Sequence, residues 1–233
     1  MEWLKDIFSQ IYDYDMLLDA YEKAVKDEMY NKEGAIFATN LEENLINIQN
    51  HLIYKTYEVG LIKVESKSWL FTPLPLSDQI VQWAFQNVVK PIFEESLSWY
   101  DKVLPPKLYS LKVDVSGCFF QADHDILLEI MERKIDDADL AWLTKKIISC
   151  EQRFGLPSMC LISNFLEEIY LSEIDHYAVE ELGISYYRRN SGQIVVVADG
   201  LAEIHQIKDD LKNCFENAFR LNFVSNIDPP RKI

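Results

Sequence analysis

The stretch from Tyr186 to Asp199, YYRRNSGQIVVVAD, decides how this chain is read. Aromatic and β-branched residues stand on both sides of Asn190-Ser191-Gly192, three residue types that suit tight chain reversal. The pattern predicts a β-hairpin. From Leu182 to Ala198 the segment holds no Asp or Glu. The hairpin lies in otherwise helical surroundings, and its tip carries no acid.

After the hairpin, LAEIHQIKDDLKNCFENAF has helical spacing and RLNFVSN reads as a strand. Asp199 reads as a cap for the helix that follows it. Before the hairpin, CLISNFLEEIYLSEIDHYAVEEL reads as a long helix broken by Gly183. FGLPSM precedes it as a turn. DHDILLEIMERKI opens on an aspartate cap, and DDADLAWLTKKIIS places acids first and lysines last, as the helix dipole favours. YSLKVDV is a strand with Asp114 at its end. Nearer the amino terminus, Trp3, Leu4, Ile7, Phe8, Ile11 and Tyr12 recur at helical spacing, and Asp15 to Tyr30 continues in the same vein. Asn40, with Glu43 three residues on, reads as a capping box for LEENLINIQNHL. Two short strands are expected between Tyr57 and Phe71, then a helix through Ile80, Val81, Ala84, Val88 and Val89 ending near Pro91. SWYDKVLPPK reads as a loop. Helices packed on an antiparallel sheet make the expected class α+β.

The chain has 233 residues, and 48% are hydrophobic. That supports a sizeable core and excludes a disordered chain. Acids outnumber bases 38 to 23, a formal net charge of −15. Nucleic-acid binders draw most of their affinity from Lys and Arg on phosphates, so this charge disfavours a polyanionic partner. It fits simple solubility, or a basic or protein partner. Cys118, Cys150, Cys160 and Cys214 form no C-x-x-C pair and fit reduced thiols. The opening MEWLKDIFSQIYDYD lacks the features of a signal peptide. No apolar run approaches the roughly 20 residues that span a bilayer. A cytoplasmic protein without membrane contact is expected.

Taken in order, these segments resemble the fingers and palm of a reverse transcriptase, an RNA-directed DNA polymerase, of the bacterial and phage kind found in diversity-generating retroelements and group II introns. IYDYDMLLDAYEKA and NLEENLINIQNHL resemble the opening helices, and LPLSDQIVQWAFQNVVKPIFE the finger helix. LKVDVSGCFFQADHDILLEIMERKI resembles the first catalytic motif and GLPSMCLISNFLEEIYLSEIDHY the next. The hairpin occupies the place of the Y-x-D-D motif. The resemblance implies a fingers-like helical region with a short β element over residues 1–107. It implies a palm-like α+β region over 108–233, the two forming one continuous globular unit.

The family's chemistry uses two divalent ions about 3.5 to 4 Å apart, and Mg²⁺ prefers carboxylate oxygens. Asp114 matches the first of three carboxylates. Asn190-Ser191-Gly192-Gln193 stands where Y-x-D-D should, so Gly192 and Gln193 replace the other two. Asp114 is then a remnant, either a residual metal ligand or a solvated acid at a strand end. Phe119 matches the aromatic that tests the sugar of the incoming nucleotide; it also reads as a core residue beside Phe120. Asn164 is the other remnant of the nucleotide pocket. Trp69, Ser77 and Gln79 replace basic finger residues, Met159 replaces a turn glycine, and Glu167-Glu168 replaces Ala-Asn. A thumb is missing from the pattern. Arg188 and Arg189 suit either phosphate contact or pairing with Glu167 and Glu168. The scattered histidines, His51, His124, His176 and His205, select no further chemistry.

The expectation is therefore a reverse-transcriptase-like pseudoenzyme that has lost polymerase activity. It would act as a protein-interaction or scaffold module in a phage, mobile-element or defence system, alone or as a homo- or hetero-oligomer. Trp69, Phe71 and Trp99 are its candidate contacts. No cofactor is expected, and Mg²⁺ enters only if activity survives. The alternatives are a divergent metal-dependent RNA-directed DNA polymerase or nucleotidyltransferase built on Asp114, and a non-catalytic nucleic-acid binder.

Overall fold

The computed structural model describes residues 4–26, 31–60, 74–93, 109–149, 155–157, 161–190 and 192–229. The chain divides into two compact units, and the division follows no single cut. One comprises residues 1–94, 131–152 and 157–165; the other comprises 95–130, 153–156 and 166–233.

The described part of the first unit is helical. Its elements are α1 (Ile7–Ile11), α2 (Tyr14–Ala24), α3 (Asn31–Ala38), α4 (Leu41–Ile53) and α5 (Leu76–Phe93). Asp13 caps α2 by accepting from the backbone N–H groups of Asp15 and Met16, at 3.0 and 3.4 Å. Such a bond satisfies a donor that the first helical turn leaves open. Leu17, Ala20 and Ala24 of α2 and Ile80, Val81, Ala84, Phe85 and Val88 of α5 are buried. A later helix of this unit is capped in the same way by Asp137, whose Oδ1 accepts from Asp139 and Leu140 at 3.0 Å each. Its Oδ2 accepts from the Phe8 N–H at 2.8 Å, which ties α1 to that cap.

The capping role read for Asn40 needs correction. The residue precedes α4, but its side chain makes no capping bond. Its N–H donates to Phe37 in the tight turn closing α3, and its φ of −135° and ψ of 48° are not the extended geometry that aims a cap. Of the strands expected between Tyr57 and Phe71, only Tyr57–Gly60 is described, and it is irregular. This piece is held by a side chain instead of a ladder. Buried Asp78 of α5 accepts from the Tyr57 hydroxyl at 2.7 Å and the Gly60 N–H at 2.9 Å. Trp69, Phe71, Trp99, Met159, Cys150, Cys160 and the SWYDKVLPPK loop lie outside the described residues.

The second unit carries a four-stranded antiparallel sheet in the order β2-β3-β1-β4. Strand β1 (Tyr109–Asp114) leads to a short helix α6 (Cys118–Gln121), then to α7 (His124–Glu132), capped by Asp123 on the Asp125 N–H at 2.9 Å. In chain order α8 (Ala138–Ile148) is the helix capped by Asp137, and α9 (Ser163–His176) follows. Helix α9 runs into a π-helical turn over Tyr177–Glu181 and stops before Gly183, at φ 63°. The hairpin is β2 (Tyr187–Asn190) and β3 (Gln193–Ala198). Helix α10 (Leu201–Asn213) and β4 (Val224–Asp228) complete the unit. The chain is thus mostly helical with one small sheet, as its α+β pattern implies. Leu111, Val113, Ile194 and Val196 bury one face of the sheet, as period-two alternation requires. Asp199 does not cap α10: the boundary residue is Gly200, in extended conformation and without a side-chain cap bond. Among the described residues no helix is long and apolar enough to cross a membrane, and Cys118 and Cys214 are buried free thiols.

Candidate functional site

The ladder fixes the candidate site at one end of the sheet. Asp114 pairs with Gln193 on one side and with Val224 on the other. Directly opposed residues of an antiparallel pair place side chains on the same face, so Gln193, Asp114 and Val224 form one row across three strands. Asn190 closes the hairpin against Gln193. The Val115 N–H donates to the Gly192 carbonyl at 3.1 Å, joining the tip to the end of β1 by backbone alone.

The Asp114 side chain is exposed, and its Oδ1 accepts from the Ser116 hydroxyl at 2.6 Å and the Ser116 N–H at 2.9 Å. These bonds hold its carboxyl below the usual range. Opposite it Gln193 supplies a neutral amide, and Gly192 supplies no side chain. This donor set does not fit a pair of divalent cations, whose charge calls for several carboxylates. Among the described residues no three His, Cys, Asp or Glu side chains gather as a metal site.

The two arginines of β2 separate by strand alternation. Arg188 is exposed and Arg189 is buried. Arg189 Nε donates to both oxygens of Asp175, at 2.9 and 2.8 Å, and Nη1 donates to Glu168 at 2.9 Å. The Tyr187 hydroxyl donates to Asp175 at 2.5 Å. Of the two readings open for Arg189, pairing is the one found, with Glu168 as expected and with Asp175 in addition. The missed signal was spacing: Asp175 lies seven residues beyond Glu168 on α9, two turns along the same helix face.

Glu167, next along α9, is half-buried. Burial and the neighbouring Glu168 carboxylate push it above the usual glutamate range. Phe119 is half-buried and meets Phe120 edge to face, ring centroids 5.3 Å apart, while Phe120 is 72% exposed. The backbone beneath them is clamped. Gly155 and Leu156 donate to the carbonyls of Ala122 and Phe119, and His124 Nε2 lies 2.7 Å from the Gly155 carbonyl. Gly155 adopts φ +80°, and a Cβ there would stand 2.8 Å from the Phe120 carbonyl oxygen. Asn164 is exposed on the first turn of α9, within the helical unit.

No family model matches the chain. It is 23% identical over 204 residues to the COX1/OXI3 intron 2 protein of Saccharomyces cerevisiae, covering 71% of this chain and 24% of that protein. It is 21% identical over 220 residues to the group II intron-encoded protein LtrA of Lactococcus lactis, covering 77% of this chain and 37% of LtrA. The chain therefore spans between a quarter and two fifths of these relatives' lengths. The similarities support a relationship to the reverse-transcriptase family through group II intron-encoded proteins.

Proposed function

We propose that this reverse-transcriptase-like chain no longer polymerises nucleic acid and serves as a cytoplasmic protein-binding module of a mobile-element, phage or defence system. The observation that carries the reading is the row Gln193–Asp114–Val224: a single carboxylate stands where phosphoryl transfer through two metals needs three to converge. A second observation supports an interaction role. Ile46, Ile53 and Tyr54 share one face of α4 and its C-terminal end, and all three are exposed, as is Ile36 on α3. Exposed large apolar residues grouped on one helix face mark contact surfaces more often than isolated ones do. The formal charge of −15 favours a basic protein over a nucleic acid as the occupant.

Primer extension with purified protein in Mg²⁺ and in Mn²⁺ tests the loss of activity. No product is expected. Product that disappears in Asp114→Asn overturns the reading and restores the polymerase alternative. Affinity capture with wild type and with an Ile46→Glu, Ile53→Glu, Tyr54→Glu variant tests the second part: a specific partner is retained by wild type and lost by the variant.

A further inference from the structure

Two helices of the sheet-bearing unit end in the same way. In the π-helical turn that closes α9, Leu182 donates to the Tyr177 carbonyl and Ile184 to the Ala178 carbonyl, at 3.0 and 3.1 Å, with left-handed Gly183 between them. Helix α10 runs into a second π-helical turn, Cys214–Ala218. There Phe219 donates to Cys214 at 3.1 Å and Leu221 to Phe215 at 2.8 Å, and the residue between them is Arg220, at φ 53°. Glycine adopts that conformation freely. A side chain there opposes the closed form by about five- to thirty-fold in an equilibrium constant. What the arginine adds is a charge. Its Nη1 donates to Oδ2 of buried Asp123 at 2.6 Å, and Oδ1 of the same carboxylate caps α7. The connector is held at two further points: Asn222 N–H donates to the Gln121 side chain at 2.8 Å, and the buried Tyr170 hydroxyl donates to the Phe219 carbonyl at 2.7 Å. Beyond the connector, β4 has little hold of its own. It is an edge strand that pairs, among the described residues, with β1 alone, and none of its five side chains is buried. Elements with few buried contacts open before the rest of a fold does.

We propose that Arg220 and Asp123 form a strained clasp on a detachable strand: when the pair parts, Arg220 leaves the left-handed conformation and β4 peels from β1, while β2 and β3 stay paired. Opening releases the backbone strain, and closing regains the ion pair. These opposed contributions set how often the strand detaches. The detached state bares the edge of β1 from Ser110 to Asp114 and removes Val224 from the row that defines the candidate site. An edge so exposed is a template for another strand. The clasp operates whether or not the chain polymerises.

The test is native-state hydrogen exchange of the full chain, in wild type and in Asp123→Asn, Arg220→Met and Arg220→Gly. Asparagine caps a helix as well as aspartate does, so Asp123→Asn removes the charge and keeps α7. The β4 amides bonded to β1 are expected to exchange about tenfold faster in Asp123→Asn and Arg220→Met than in wild type, while those joining β2 to β3 keep the wild-type rate. Arg220→Gly loses the pair and the strain together, so its β4 amides should exchange about fivefold more slowly than those of Arg220→Met. Equal acceleration in the β2–β3 amides overturns the clasp, as does no acceleration in either pair-breaking variant. Equal rates in the Met and Gly variants also overturn it, since strain then plays no part. Wild type alone supplies a check that needs no variant. Its β4 amides should show a weaker denaturant dependence of exchange than the β2–β3 amides, because detachment exposes less surface than unfolding; the same dependence in both overturns the detachable strand.

Discussion

Asp114 and Gln193 face each other across β1 and β3, an ionised carboxylate opposite a neutral amide. The backbone pairing is intact, and Asp114 is the one carboxylate in the row Gln193–Asp114–Val224.

Carboxylates placed at the hairpin tip test whether this row can hold a metal ion. Nothing lies within 4 Å of a Cβ added at Gly192, and the residue has no left-handed φ. Gly192→Asp with Gln193→Asp is therefore expected to fold. It is expected to bind Mn²⁺ more tightly than wild type, visible by electron paramagnetic resonance, and Asp114→Asn is expected to abolish that gain in the same background. Like charges on one row should cost up to about 1 kcal/mol.

Arg189→Met leaves Asp175 charged and buried without its partner. Removal of one member of a buried pair costs about 3–5 kcal/mol, so the denaturation midpoint of the sheet-bearing unit should fall sharply. Adding Asp175→Asn should recover part of that loss, because the two sites act as one.

In the helical unit, Asp78→Ala strips a buried carboxylate from two donors, the Tyr57 hydroxyl and the Gly60 N–H. Leaving them unpaired should cost about 1–3 kcal/mol; Tyr57→Phe should cost less. Burial holds the Asp78 carboxyl above the usual aspartate range. Its contribution is thus greatest below the unfolded value of about 3.9 and declines as pH rises through the folded one. Asp78→Asn should flatten that segment of the stability profile.

Gly155→Ala combines a left-handed φ of +80° with a clash against the Phe120 backbone. The backbone conformation alone costs about 1–2 kcal/mol, and the contact adds to it. Gly192→Ala, in open space, serves as the comparison and should change the thermal midpoint little.

The hairpin, the strand ending at Asp114 and the helices between them were legible because each carries its own period and punctuation. Asn190-Ser191-Gly192 announced the turn, and its want of acids was visible before any register was known. Caps divided by local geometry. Asp13, Asp123 and Asp137 cap their helices, whereas Asn40 sits in the closing turn of α3 and Asp199 lies one residue too early. The Arg189–Asp175 pair and the hold of Asp78 on Gly60 were not legible. Each joins residues whose meeting depends on how a helix is rotated against its neighbour, which periodicity leaves undetermined.

The hydrogen bond from Val115 to the Gly192 carbonyl is made by main-chain atoms, as are those of the neighbouring strands. Such a framework is blind to the side chains it displays. Side chains at the tip of the loop can therefore change without loosening the architecture beneath. The displayed groups are free to vary where the sheet that carries them is not.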